Sequence, residues 1–403
     1  MLTFFIIFAT YSAHKMKKIV IASNSFKGSL TSKEVAEAVC RGINRILPDC
    51  KVVSICLGDG GEGTAEAIAS VVPCNWMEVI ASDPIGRKIS ARYAVCDNEG
   101  IKTAIIELAS ASGLTLLKDS ERNPLYTSTF GTGEMILDAI RNGCRKFIIG
   151  IGGSATNDAG TGMLEALGFR FIDSEDNIIK GCNGLILNKI RSIDASMVPE
   201  EVLSSSFTVA CDVRAPFYGK DGATRIFAAQ KGAGKEEIEI LEQGMSSFAA
   251  MICNQYGINL QDIPGSGAAG GVGGALYAFL GAGLTSGADL VLDYAGFEDA
   301  IKDADLIITG EGKIDSQTFR GKLPAAIHKR AAAGNVPVAA IGGIVDLDDK
   351  DIARSGFLDI LPIQPVPESP EELARAMDPA TATVNISRTI REFLVRLLTR
   401  KET

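Results

Sequence analysis

Four loops of the chain set carboxylates or a lone lysine among glycine, serine and threonine: "SNSFKGS" (23–29), "GDGGEGT" (58–64), "GIGGSATNDAG" (150–160) and "TGEGKIDSQT" (309–318). Backbone N–H groups in such loops, and at the helix starts they lead into, attract phosphate or carboxylate. The candidates for cradling an anion are therefore Asn24, Ser25, Gly28 and Ser29, then Gly60 and Gly61, then Gly152, Gly153, Ser154, Thr156 and Asn157, and finally Gly312. Lys27, Lys231 beside Gln230 in "AAQKGAGK", and Lys322 in "RGKLP" sit among small residues, where a lysine reaches a phosphate as a point charge and Gln230 can recognise a polar group. Asp59, Glu311 and Asp315 are candidate ligands for Mg2+, which needs only one or two carboxylates when phosphates and waters supply the rest. Asp212, in "VACDVRAPFYG", ends a strand-like run and is a candidate general base toward a hydroxyl. Each loop alone is equally an ordinary turn with a helix cap, and each lysine a solvated charge. Asp158 and Glu62, taken singly, read as acids that complement a helix dipole. Four such loops converging on one sheet edge are more than turn chemistry explains, and would make a polyanion site.

The elements that must position these residues alternate along the chain. "KKIVIAS", "KVVSICLG", "KFIIGIGG", "ADLIITGEG" and "VPVAAIGGIV" are short, apolar and bounded by small residues, the pattern of parallel strands buried on both faces. Helices fit residues 32–47, 62–71, 131–143, 158–168, 322–334 and 381–399. The expected fold class is α/β, an open, mostly parallel sheet flanked by helices, with ligands at the carboxyl ends of its strands. Residues 80–127, with a hairpin around "DNEG", and 169–264, turn-rich and containing "SFTVACDV", break that rhythm. They are expected to form an α+β domain inserted into the α/β domain, with a cleft between the two. The α/β domain then takes residues 16–79, 128–168 and 265–403. The proline-rich "LPIQPVPESPEEL" (361–373) reads as a surface loop before the last helix.

With 403 residues, 46% of them apolar, the chain is long enough for two domains of ordinary size. A net charge of -9 disfavours a broad nucleic-acid surface while leaving room for a small basic pocket. The two histidines, His14 and His328, are too few for most zinc-site and Ser-His-Asp readings, so proton transfer falls to Asp, Glu or Lys. The nine cysteines contain no C-x-x-C pair and read as buried thiols of a reducing, cytoplasmic compartment. Residues 1–15 are too short to span a membrane and lack the positive start of a signal peptide; they read as an extension upstream of Met16. G-x-x-x-x-G-K-[ST] is absent, so a P-loop is not supported. The G-x-G-x-x-G at Gly265, Gly267 and Gly270 lacks the preceding strand of a dinucleotide fingerprint and suits a closely packed helix at least as well.

Taken in order, "SFKGSLTS", "DGGEGT", "DPIGR", "ELASASGL", "RNPLYTSTFGTGE", "GIGGSATNDAGTGMLEALG", "ACDV", "QKGA", "GSGAAGGVGGAL" and "ITGEGKIDSQTFRGKLP" resemble the bacterial glycerate kinase family, the non-P-loop kind, over residues 17–345. The resemblance implies ATP as co-substrate, Mg2+ as metal, D-glycerate as small-molecule substrate and a two-domain α/β architecture with the active site in the cleft. It implies phosphorylation at the 2-hydroxyl to give 2-phosphoglycerate, with the 3-phosphate as the alternative product. No nucleic-acid or membrane partner is expected, and a homodimer is a candidate assembly. Within this frame Lys27, Arg87 and Lys231 are candidates for holding the glycerate carboxylate, Lys27 for neutralising the transferred phosphoryl group, and Asp212 or Asp59 for accepting the hydroxyl proton. The family usually reads Asp-Ser-Phe-Lys-Gly where this chain has Asn24, Asn-Pro-Leu where it has Ala215, Pro216 and Phe217, and proline where it has Ala229. The last two read as packing variants, whereas Asn24 bears on the chemistry. Two rivals stand beside this reading: a non-catalytic nucleotide or sugar-acid sensor on the same fold, altered at Asn24, and a nicotinamide oxidoreductase relying on Gly265 to Gly270.

Overall fold

The computed structural model describes residues 16–26, 28–57, 63–98, 100–319 and 322–399, so the expected extension at 1–15 lies outside the described residues. Its strands are β1 (Lys18–Ser23), β2 (Lys51–Cys56), β3 (Cys74–Ser82), β4 (Lys88–Asn98), β5 (Ile101–Glu107), β6 (Lys146–Gly150), β7 (Arg170–Ile172), β8 (Ile178–Ile179), β9 (Ser192–Asp194), β10 (Ser206–Ala210), β11 (Gly283–Thr285), β12 (Leu306–Ile314), β13 (Val338–Val345) and β14 (Asp359–Pro362). The chain divides into two units. One takes the residues up to Leu57, Glu66–Val72 and those from Ala288 onward; the other takes Gly63–Ala65 and Pro73–Gly287.

The first unit is built on a parallel sheet in the order β14-β13-β12-β1-β2. β1 and the first six residues of β12 are buried almost throughout, which is why both read as unbroken apolar runs. After β1 the helix Ser32–Asn44 starts at a capping box: the Thr31 hydroxyl accepts from the Glu34 amide, and the Glu34 carboxylate accepts from the Thr31 amide. The stripe Val35, Val39 and Ile43 is buried, as are Ile386, Ile390 and Leu394 of the helix Pro379–Thr399. A Cβ at Gly42 would lie 2.8 Å from the Ser387 carbonyl oxygen, so only glycine lets these two helices approach so closely. Cutting one of these isoleucines to alanine typically costs about 2–5 kcal/mol.

The second unit has a mixed sheet in the order β11-β10-β6-β5-β4-β3 and a small antiparallel sheet β8-β7-β9. β5, β6, β10 and β11 run parallel, while β3-β4-β5 is an antiparallel meander whose second turn is the expected hairpin at "DNEG". Phe147 of β6 stacks on Phe207 of β10 with ring centroids 4.8 Å apart, inside a core that also buries Met135, Ile136 and Phe248.

The fold class is as expected, α/β with mostly parallel strands flanked by helices, but its division differs from the expectation. Residues 128–168 and 265–287 belong to the second unit, because β6 pairs with β5 and β10 and not with any strand of the first sheet. The insertion is therefore one continuous α/β body. The thiol reading is also corrected: Cys74 and Cys96 face each other across β3 and β4 and form a disulfide, their Cα atoms 4.2 Å apart. The segment 361–373 is only partly loop, since it ends β14 and begins the helix Pro370–Met377. Among the described residues no helix is long and apolar enough to cross a membrane.

Candidate functional site

The carboxyl edge of the first sheet gathers several of the expected residues. Beyond β1 the Asn24 amide donates to the Gly310 carbonyl at 3.0 Å, and the Asn24 side-chain oxygen accepts from the Ser25 amide at 2.8 Å. Asn24 thus orients the amide of the residue that follows it. Within β12, Glu311 is 8% exposed and accepts from the Thr318 hydroxyl. The same hydroxyl accepts from the Asp315 amide at 3.1 Å, while Asp315 Oδ1 accepts from the Gln317 amide at 2.9 Å. Lys322 lies 3.9 Å from Asp315, and Lys313 lies 3.7 Å from Asp315 and 2.9 Å from Asp346. Asn24, Ser25, Ser29, Glu311, Gly312 and Lys322 all line one cavity of about 370 Å³. Lys27, Asp59, Gly60, Gly61 and Glu62 lie outside the described residues.

Glu311 and Asp315 share Thr318 and offer hard oxygen donors, so the residues present fit Mg2+. Among the described residues no group of three or more His, Cys, Asp or Glu side chains could hold a metal by itself. An ion that takes its remaining ligands from phosphates and water does not require one.

The second unit has its own carboxyl edge. Asp212 follows β10, faces solvent, and accepts from the Gly287 amide at 3.0 Å. Glu107, the last residue of β5, accepts from the Ala65 amide at 2.8 Å, and its carboxylate fills the space that any side chain at Gly150 would need. Glu107 escaped the sequence reading, although an acid closing a strand in "ELASASGL" was its signal. In the loop after β6, Gly152 and Gly153 are exposed while Ser154, Thr156, Asn157 and Asp158 are buried. Asp158 accepts from the Thr129 amide and hydroxyl at 2.8 and 2.7 Å and from the Gly160 and Gly162 amides. Burial pushes its carboxyl up and these donors pull it back, a structural knot in keeping with its reading as a helix-start acid.

Lys231 is buried, and its amine donates to Ser154 Oγ at 2.8 Å and to the Thr156 carbonyl at 2.7 Å. Burial lowers its pKa from 10.5 to about 7, with nearby Asp158 acting in the opposite direction. It is a strut under the loop, not the solvated cation its type suggests; its neighbour Gln230 is exposed. Asn157 Nδ2 donates to Thr224 at 3.2 Å, while Thr156 Oγ1 and Asn157 Oδ1 are buried without a partner among the described residues. Gly270, from the G-x-G-x-x-G, has φ +68°, and a side chain there would strike the Thr156 carbonyl. Its own carbonyl accepts from the Ala159 amide at 2.9 Å. Gly270 therefore serves close packing against the "SATND" loop, while Gly267 packs in the same way on the Pro216 carbonyl.

Two expectations about the site change. Arg87 is committed locally: it donates to buried Asp83 at 2.5 Å, to Glu121 at 2.9 Å and to the Leu116 carbonyl at 3.0 Å. The Asp83 hydrogen bond, first among these, holds the guanidinium pKa above its usual value. This network gives Arg87 the job of tying a turn together. The four loops, moreover, do not leave one sheet. β1, β2 and β12 belong to the first sheet, whereas β6 belongs to the second, so "GIGGSATNDAG" answers to different neighbours.

Comparison with known proteins bears on this arrangement. The family model described as "Glycerate kinase family" matches residues 19–398. Glycerate 2-kinase of Escherichia coli (strain K12) is 43% identical over 342 residues, covering 85% of this chain and 89% of that protein. Glycerate kinase of Bacillus subtilis (strain 168) is 41% identical over 348 residues, covering 86% and 90%. A crystal structure from Salmonella typhimurium LT2 described as glycerate kinase 2 superposes with a TM-score of 0.79 at 38% identity, covering 95% of this chain and 98% of that one.

Proposed function

The chain belongs to the glycerate kinase family and is an ATP-dependent kinase, and from that premise we propose that it transfers the γ-phosphoryl group of ATP to the 2-hydroxyl of D-glycerate, giving 2-phosphoglycerate and ADP. The observation that carries the proposal is the family match along residues 19–398, a span that includes every loop of the two carboxyl edges. Phosphoryl transfer asks the protein mainly for positioning and charge neutralisation. Lys27 and Lys322 are proposed for the charge on the phosphates, and Asn24 for orienting the Ser25 amide at the end of β1. Asp212, solvent-facing and oriented by the Gly287 amide, is proposed as acceptor of the hydroxyl proton, with Asp59 as the alternative. Glu311 and Asp315 are proposed to hold Mg2+, which when bound neutralises charge on the β- and γ-phosphates. The proposed compartment is the cytoplasm.

The test is purified protein with ATP, Mg2+ and D-glycerate, coupled to enolase with phosphoglycerate mutase left out. Formation of phosphoenolpyruvate is expected, because enolase takes the 2-phosphate. Glycerate-dependent ADP without phosphoenolpyruvate would move the product to the 3-phosphate. No glycerate-dependent ADP at all would sink the proposal.

A further inference from the structure

The cavity at the edge of the first sheet has two chemically different sides. One is polar and glycine-bearing: Asn24, Glu311, Gly312, Gly343 and Lys322. Lys322 is also the N-cap residue of the helix Leu323–Ala333, which no side chain among the described residues caps, so the positive end of that helix meets the cavity at this residue. Ser29 Oγ, from another lining residue, is buried and has no hydrogen-bond partner among the described residues.

The other side is apolar. Leu373, Ala376 and Met377 of the helix Pro370–Met377 fall at the spacing of one helical stripe and line the cavity together with Ile344 and Ile363. Leu373 is 40% and Met377 37% exposed, and no residue of that helix is fully buried. This half-open apolar stripe leaves an apolar surface facing the cavity. The volume of about 370 Å³ falls within the roughly 300–1,000 Å³ of small-molecule sites.

We propose that this cavity takes the adenosine part of ATP, the base lying against Leu373, Ala376 and Met377 and the phosphates running toward Lys322 and the start of its helix. The inference rests on the kinase reading above, which supplies two substrates to choose between. D-Glycerate is small and polar at every carbon, and has nothing to offer an apolar wall. A nucleotide has one flat, largely apolar end and one polyanionic end, and the cavity is divided in the same way.

Two substitutions test it. Ala376→Phe fills the cavity, and Leu373→Asp removes the apolar wall; both sit on a helix with no buried residue, so the core is untouched. The readouts are calorimetric titration with ADP and the separate KM values for ATP and D-glycerate. ADP affinity is expected to fall about tenfold or more in each variant, with the KM for ATP rising alike and the KM for D-glycerate staying within about twofold. ADP affinity within about threefold of the parent in both variants, or a KM for D-glycerate that rises in step with that for ATP, would overturn the assignment. The ADP titration decides the cavity whether or not the parent phosphorylates glycerate, so failure of this inference and failure of the kinase reading are told apart.

Discussion

Replacing Lys231 with methionine separates the charge of a buried amine from its hydrogen bonds. The amine has a folded-state pKa of about 7 against 10.5 for an unperturbed lysine, with burial as the leading cause. Between those values the unfolded chain binds a proton that the folded chain does not, so stability rises with pH across the window; below about pH 7 both forms are protonated and the full burial penalty applies. At 1.36 kcal/mol per pH unit, the parent gains about 2 kcal/mol between roughly pH 7.5 and 9 that a methionine variant cannot gain. Methionine also leaves Ser154 Oγ and the Thr156 carbonyl without their donor, a loss of about 1–3 kcal/mol for each buried group. A neutral amine keeps a donor for each of these acceptors, so the parent does not forfeit the bonds as it loses its charge. The expected result is a gap between parent and Lys231→Met that widens by about 2 kcal/mol across that interval. Other groups titrating above pH 9 cancel in the difference. Urea unfolding followed by fluorescence of Trp76, the single tryptophan, is the assay, because Trp76 lies on β3 in the same unit as Lys231. A gap equal at the two pH values would refute the reasoning, since the amine would then be charged throughout.

Cys74→Ser opens a loop of 22 residues and should lower the stability of the oxidised second unit by about 3 kcal/mol in the same Trp76 measurement, with reductant bringing the parent to the level of the variant; an oxidised parent indifferent to reductant would contradict this. Asn24→Asp keeps the side-chain oxygen that accepts from Ser25, so turnover should change less than about threefold, and a gain of tenfold or more would show that a carboxylate is required there.

The strands could be read from sequence because burial on both faces leaves a local mark: "KKIVIAS" became β1 from its second lysine on, while β12 starts two residues into "ADLIITGEG" and runs two beyond it, through the first half of the expected loop 309–318. The sheet that β6 joins could not, because "KFIIG" is as apolar as β1 and pairing partners are set by residues far away in the chain. The same limit hid Lys231, whose "QKGA" context gives no hint that the amine ends beneath the Ser154 loop, and Arg87, whose partners Glu121 and Leu116 lie more than a turn away in sequence. The helix Pro370–Met377 was within reach. Ser369 accepts from the Glu372 amide and Pro370 stands at the first turn, a start signal outweighed by the prolines around it.

The pairing of β1 with β12 also sets an order of events during synthesis. Ser23 meets Gly310 across 287 residues of chain. At ribosomal speeds β12 leaves the tunnel roughly 15–60 seconds after β1. Over that interval the second unit, nearly all of it one uninterrupted stretch, can fold to completion. β1 and β2 meanwhile have only each other, two apolar strands with open edges at the front of a growing chain. Their protection from other nascent chains during that wait is a task for chaperones, and a rare-codon pause placed before β12 would lengthen the exposure.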